Sequence, residues 1–92
     1  MFQPELYLTA LKTDLGIVTT AYDQRLLAYL GTAARAIERE GITLTDCIDD
    51  GTLVVQYAAW LWRDRDNGQG MPRMIRWALN NRLFSEKMSD GT

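Results

Sequence analysis

Apolar positions in this 92-residue chain recur with helical spacing in four places and alternate in only one. The clearest periodic run is Leu26, Leu27, Leu30, Ala33, Ala34 and Ile37, at i, i+1, i+4, i+7, i+8 and i+11, a wide stripe of 3.6-residue period. Arg25, Arg35, Glu38 and Arg39 fall on the opposite side, and Gly41 supplies a left-handed stop. Thr20, with Asp23 three residues on, matches a capping box for the start of this helix. The densest apolar run is Leu53 to Trp62, interrupted only by Gln56. Val, Tyr and Trp favour strands. Ala58 and Ala59 in mid-run, a cap at Asp49 or Asp50 and a stop at Asn67-Gly68 predict instead a helix from about Asp50 to Asp66. That length is ordinary for a helix and long for a strand.

Wound as a helix, the run carries three apolar stripes: Val54, Ala58 and Leu61; Leu53, Tyr57 and Trp60; Val55, Ala59 and Trp62. A helix apolar all round is normally enclosed by other elements. A chain this short offers few, so part of the surface is expected to be covered by another subunit.

Fainter patterns fill in the rest. Pro4 suits the first turn of a short helix in which Leu8, Leu11, Lys12 and Leu15 follow helical spacing up to Gly16. Ile17 to Thr19 is an extended link. Residues 42–50 form a connecting loop in which Ile42 and Leu44 alternate with threonines, leaving a short strand at 42–45 open. Asn67 to Gly70 is a turn. Met71-Pro72 opens a fourth helix, with Ile75, Ala78, Leu79 and Arg82 along one line, Met74, Trp77 and Leu83 beside it, and Arg73 and Arg76 pointing away. From Ser85 the chain is polar, and residues 86–92 are expected to be a disordered tail. The sum is all-α: one small four-helix domain spanning residues 1–92, with the second and third helices as the long packed pair. No internal repeat or low-complexity segment is present.

Composition narrows the chemistry. With 47% hydrophobic and 24% charged residues the chain is an ordinary soluble type. No stretch has the features of a signal peptide or the length of a membrane span. A lone cysteine, Cys47, cannot form an internal disulfide, which fits a reducing cytoplasm. There is no histidine, so the commonest general base and metal ligand are both missing. A net charge of −2 argues against tight non-specific DNA binding. Residues 1–50 carry four Lys/Arg against eight Asp/Glu, for −4, and residues 51–92 carry six against four, for +2. Such asymmetry suits head-to-tail self-association, and equally describes two solvated faces.

Each candidate site has a plainer explanation. Asp46, Asp49 and Asp50 could bind a divalent ion, but no histidine or regular carboxylate motif accompanies them, and helix capping or solvation accounts for them. Asp64 to Gly70 fails as a calcium loop: its fifth and sixth positions are Gly68 and Gln69, and its twelfth is Ile75 rather than Glu. Gly68 and Gly70 precede no Lys-Ser/Thr, Ser85 and Ser89 lack a base, and Cys47 lacks a histidine partner. The expectation is a non-enzyme with no cofactor and no metal. Tryptophan and arginine are enriched at interface hot spots and also serve nucleic-acid grooves. Trp60, Trp62, Arg63, Arg73, Arg76 and Trp77 are therefore the candidate subunit or partner contacts, set against a reading in which the tryptophans fill the core.

Three stretches together resemble the small tailed-phage head–tail connector proteins, also called head-completion or DNA-packaging adaptor proteins. They are Leu11-Lys12 to Ile17 followed by Tyr22 to Leu27; Ala33 to Glu38 leading through a loop to Val54–Arg63; and Met71 to Met74 running to Ala78-Leu79-Asn80 and Phe84. The resemblance spans residues 8–85 and rests on apolar and aromatic positions. The loop at 42–50 is compact where that family varies widely. The resemblance implies a structural virion protein that forms a homo-oligomeric ring beneath the portal. Such a ring extends the DNA channel, passes double-stranded DNA without sequence-specific binding, and offers a platform to the next connector or tail-completion protein. Its place would be the head–tail junction of the virion, and the host cytoplasm during assembly, with no membrane partner. The rival expectation is a small helical nucleic-acid-binding regulator whose fourth helix enters the major groove.

Overall fold

Gly16 and Gly41 stand where helical patterns stop, and both adopt the left-handed backbone that an L side chain resists, at φ +73° and +104°. They divide a computed structural model that describes residues 2–65, 68 and 70–90, the side chains of residues 89 and 90 excepted. A 3-10 turn, Pro4–Tyr7, leads into α1 (Leu8–Leu15), followed by α2 (Asp23–Arg39), α3 (Ile48–Asp64) and α4 (Arg73–Asp90). The domain is all-α, and α2 and α3 are its closest-packed pair. No helix among the described residues is long and apolar enough to cross a membrane. Asp66, Asn67 and Gln69, where the sequence places a helix end and a turn, lie outside the described residues, as do Gly91 and Thr92.

The stripe on α2 is the core face: Leu26, Leu30, Ala33, Ala34 and Ile37 are buried. α3 answers with Leu53, Val54, Val55, Ala58 and Ala59, and leaves Gln56 exposed. α1 packs on both helices through Leu11, and α4 lies on α3 through Ile75 and Leu79. Phe2 closes the N-terminal end, its ring stacked on Tyr7 at 5.2 Å between centroids. Tyr7 in turn lies over Gly51, where a Cβ would overlap the phenol ring. The molecule is flat, 46 × 29 × 17 Å, so an outer helix is covered on one side only.

Three expectations are corrected, while residues 42–45 keep to the expected connecting loop. No side chain caps α2: Thr20 offers only its carbonyl to the Asp23 N–H, and the Asp23 carboxylate turns to Lys12 at 2.9 Å. α3 begins at Ile48, after Cys47, and neither Asp49 nor Asp50 caps it, because Asp50 is drawn inward to Arg82. Residues 42–45 form no strand. Ile42 and Leu44 do alternate inward, but side chains take the place of a partner strand. The Thr43 N–H goes to Glu86 Oε1 at 3.1 Å, the Thr45 N–H to Asp50 Oδ2 at 2.8 Å, and Arg82 Nη2 to the Thr43 carbonyl at 2.7 Å. Finally, the polar tail expected from Ser85, disordered over 86–92, is helical to Asp90, since Glu86 has Arg82 one turn back and Thr43 opposite.

Candidate interaction surface

Trp60 and Trp62 leave α3 in different directions and are both half-buried. The Trp60 indole N–H donates to the Gly70 carbonyl at 3.0 Å, and its ring meets Tyr57 edge-on at 5.3 Å, tying the chain after α3 back to the helix. Trp62 stands edge-to-face with Tyr22 at 5.5 Å and Tyr29 at 5.7 Å, and the Arg65 guanidinium lies over it at 4.1 Å. Arg65 also donates to the Trp62 carbonyl. This cluster joins the start of α2 to the end of α3.

The arginines divide similarly. Arg63 donates to the Asp14 carbonyl at 3.0 Å and reaches its carboxylate at 3.5 Å, linking α3 to α1. Arg76 pairs with Glu40 at 3.2 Å, linking α4 to the end of α2. Arg73 is exposed at the first position of α4, and Trp77, 62% exposed, points outward from the same helix. Of the six candidates, Trp60, Arg63 and Trp77 meet around one groove of about 630 Å³ between α3 and α4. Trp62 is elsewhere, on the α2 side.

Two further hollows adjoin that groove. One, of about 420 Å³, is lined by Asp49 and Thr52 of α3 with Asn81 and Ser85 of α4. The other, of about 330 Å³, is lined by Ala10 and Asp14 of α1 with Asp46, Ile48 and Val55 at the start of α3. Gln56 lines all three, so α1, α3 and α4 present a single furrowed face.

Two features escape a reading of the individual motifs. The first is a second apolar stripe on α4, Met74, Trp77, Phe84 and Met88, roughly opposite the Ile75–Leu79 core face. These residues are 74%, 62%, 65% and 60% exposed. With exposed Asn81 they follow the 3,4,3,4 spacing of a helix-packing seam. The spacing is present in the sequence, but a helix taken to end near Ser85 cuts Met88 from the pattern.

The second feature is the ion pair between Asp50 and Arg82, residues 32 apart in sequence. Asp50 is fully buried, and its Oδ1 accepts from Arg82 Nε at 2.7 Å. Its Oδ2 accepts from the Thr45 N–H, from Thr45 Oγ1 at 3.0 Å and from Arg82 Nη2 at 3.3 Å. Burial by itself pushes the Asp50 carboxyl up; the Arg82 guanidinium and the two Thr45 donors outweigh it and hold the group below its ordinary value. Arg82 is raised, chiefly by its bond to Asp50, and Glu86 is lowered by hydrogen bonding from Thr43 and then from Arg82. Burial raises the Tyr57 phenol, the Glu40 charge adds to that, and Arg76 opposes it.

Bonded to Arg82 and Thr45 while Arg82 also holds the Thr43 carbonyl, this buried carboxylate fastens α4 to the 42–45 loop. Asp46 and Asp49 are exposed, and among the described residues no group of three or more His, Cys, Asp or Glu is placed to hold a metal ion. What the furrowed face offers is apolar surface with charge at its borders, which is the chemistry of docking.

No family model, curated protein or solved structure matches the chain.

Proposed function

We propose that this protein is a structural connector of a tailed-phage virion. Identical subunits would form a ring beneath the portal, extending the DNA channel and joining the head to the tail or to the next connector. The observation that carries this reading is the outward stripe of α4. A helix with a core face and a second apolar face is suited to being covered by another chain, and large exposed apolar patches mark such contacts. The uneven charge of the two halves of the sequence supports contact between unlike surfaces. On this reading the role is mechanical rather than catalytic, the site is the head–tail junction, and the subunits gather in the host cytoplasm. Acidic residues of the N-terminal half facing the channel would let DNA slide without sticking.

The nucleic-acid regulator is less well supported. Its recognition helix would have to be α4, yet Arg76 is paired with Glu40 and Arg82 with Asp50 and Glu86, leaving Arg73 and Lys87 for phosphates. The deciding experiment is particle mass by light scattering and negative-stain imaging, for the protein alone and mixed with portal particles. A ring, spontaneous or formed only on the portal, is the expected result. A chain that ignores the portal and shifts DNA with steep salt dependence would overturn the proposal.

A further inference from the structure

The furrowed face is unlike at its two edges. Along one edge, Met74 and Trp77 of the α4 stripe line the groove, the stripe continues along the helix through Phe84 and Met88, Arg73 and Lys87 are exposed on the same helix, and none of the exposed described residues of α4 is acidic. Along the other edge lies the hollow beside α1, with Ala10, Val55 and the 84% exposed Ile48, bordered by Asp14, Asp46 and, nearby, Asp49. Asp46 and Asp49 make no ion pair among the described residues. The helix between the edges, α3, presents exposed Thr52 and Gln56, with Arg63 and Asp64 lining the groove toward its C-terminal end.

We infer that this face is covered in solution by a second copy of the chain, the α4 stripe of each copy lying on the acidic α1–α3 edge of the other. Charge decides the geometry. A two-fold axis running along α3 exchanges the edges, so that Arg73 and Lys87 approach carboxylates and Met74, Trp77, Phe84 and Met88 meet the apolar hollow. An axis across α3 would set α4 on α4 and carboxylates on carboxylates, which is repulsive. Because both halves share one face, the contact is isologous and closes at two subunits.

The area is sufficient. The four stripe side chains expose on the order of 500 Å², at the upper end of the largest patch on a typical monomer. With Ile48 and the rim added, the face approaches the roughly 800 Å² per partner of a standard interface. The pairing concerns the free chain and stands apart from the ring. It would cover the stripe until a competing surface displaces it.

The only native cysteine makes the test direct. Cys47 is exposed beside Asp46 and Ile48, at the end of α3 that lies next to Ser85 of α4. In the chain bearing Ser85→Cys, a short bis-thiol reagent is expected to join position 47 of one copy to position 85 of the other, as mapped by peptide mass. Light scattering of the unaltered protein at roughly 100 μM is expected to give twice the chain mass. Trp77→Asp, at an exposed position, is expected to halve that mass with an unchanged far-ultraviolet circular dichroism spectrum. Linkage of 85 to 85, or a monomer at every concentration up to about 1 mM, overturns the pairing. A ring of the free chain overturns the two-fold while leaving the connector reading in place. A 47-to-85 dimer that forms no ring on portal particles leaves the pairing and removes the connector.

Discussion

Asp50 is the residue on which the C-terminal part of the fold turns. Its carboxylate is out of water and bound by Arg82 and Thr45. Asp50→Asn keeps the shape and removes the charge, leaving the Arg82 cation facing a neutral amide. The expected cost is about 2–4 kcal/mol at pH 7, somewhat below that of breaking a fully buried pair because the Arg82 side chain is 21% exposed. The pH dependence has a definite sign. The folded carboxyl titrates below its ordinary value, so its stabilisation is complete above about pH 4 and is lost as the pH falls through the lower folded value. The stability gap between the protein and Asp50→Asn, from denaturant titrations, should therefore close on acidification below pH 4 and stay constant from pH 5 to 7.

Gly51 gives a second test at this scale. A Cβ there overlaps the Tyr7 ring, so Gly51→Ala should destabilise by about 1–3 kcal/mol through overpacking. With Tyr7→Ala already in place the same change should be neutral or stabilising, since alanine is the better helix former by up to about 1 kcal/mol. A double-mutant cycle reads the difference, and simple additivity would show that the ring does not hold this position.

At the scale of elements, α2 was legible almost to the residue because its stripe and the Gly41 stop are local signals. The start of α3 was not, because the carboxylates that resemble caps are claimed by partners or solvent rather than by the helix end. The C-terminal limit of α4 was missed for a related reason. Ser85 to Met88 looks polar and solvated in sequence, while Glu86 finds Thr43, 43 residues away. Glu86→Ala should accordingly raise the amide hydrogen-exchange rate of Thr43 several-fold and loosen the last turn of α4, leaving α2 protection unchanged. Equal protection in both proteins would mean that the helix end holds without this contact. Ala58 of α3 is fully buried in the core. Ala58→Leu is expected to cost about 1–3 kcal/mol in a thermal or denaturant melt.

For the whole molecule, the pattern of small exposed and buried groups separates two kinds of tryptophan that sequence treats alike. Trp60 and Trp62 hold α3 to its surroundings, and Trp77 faces out. Trp62→Ala should therefore lower stability by about 2–4 kcal/mol. Trp77→Ala should stay within about 0.5 kcal/mol when measured on the monomer at low concentration. The reverse order would place the outward stripe inside the fold and remove its claim to be a contact.

Periodicity, glycine position and composition by themselves determined the class of fold, the α2–α3 pair and most of the core, because amphipathic spacing and left-handed stops act over a few residues. The absence of histidine and the uneven charge were equally a matter of sequence alone. Only the tertiary structure decided which charges pair, that Asp50 is buried against Arg82, and that α4 has two apolar faces of which one is left open. The pairs Asp50–Arg82, Glu40–Arg76 and Asp14–Arg63 join residues 32, 36 and 49 positions apart, and a chain's local pattern carries no record of which distant side chain will arrive to satisfy a buried charge or to leave a stripe uncovered.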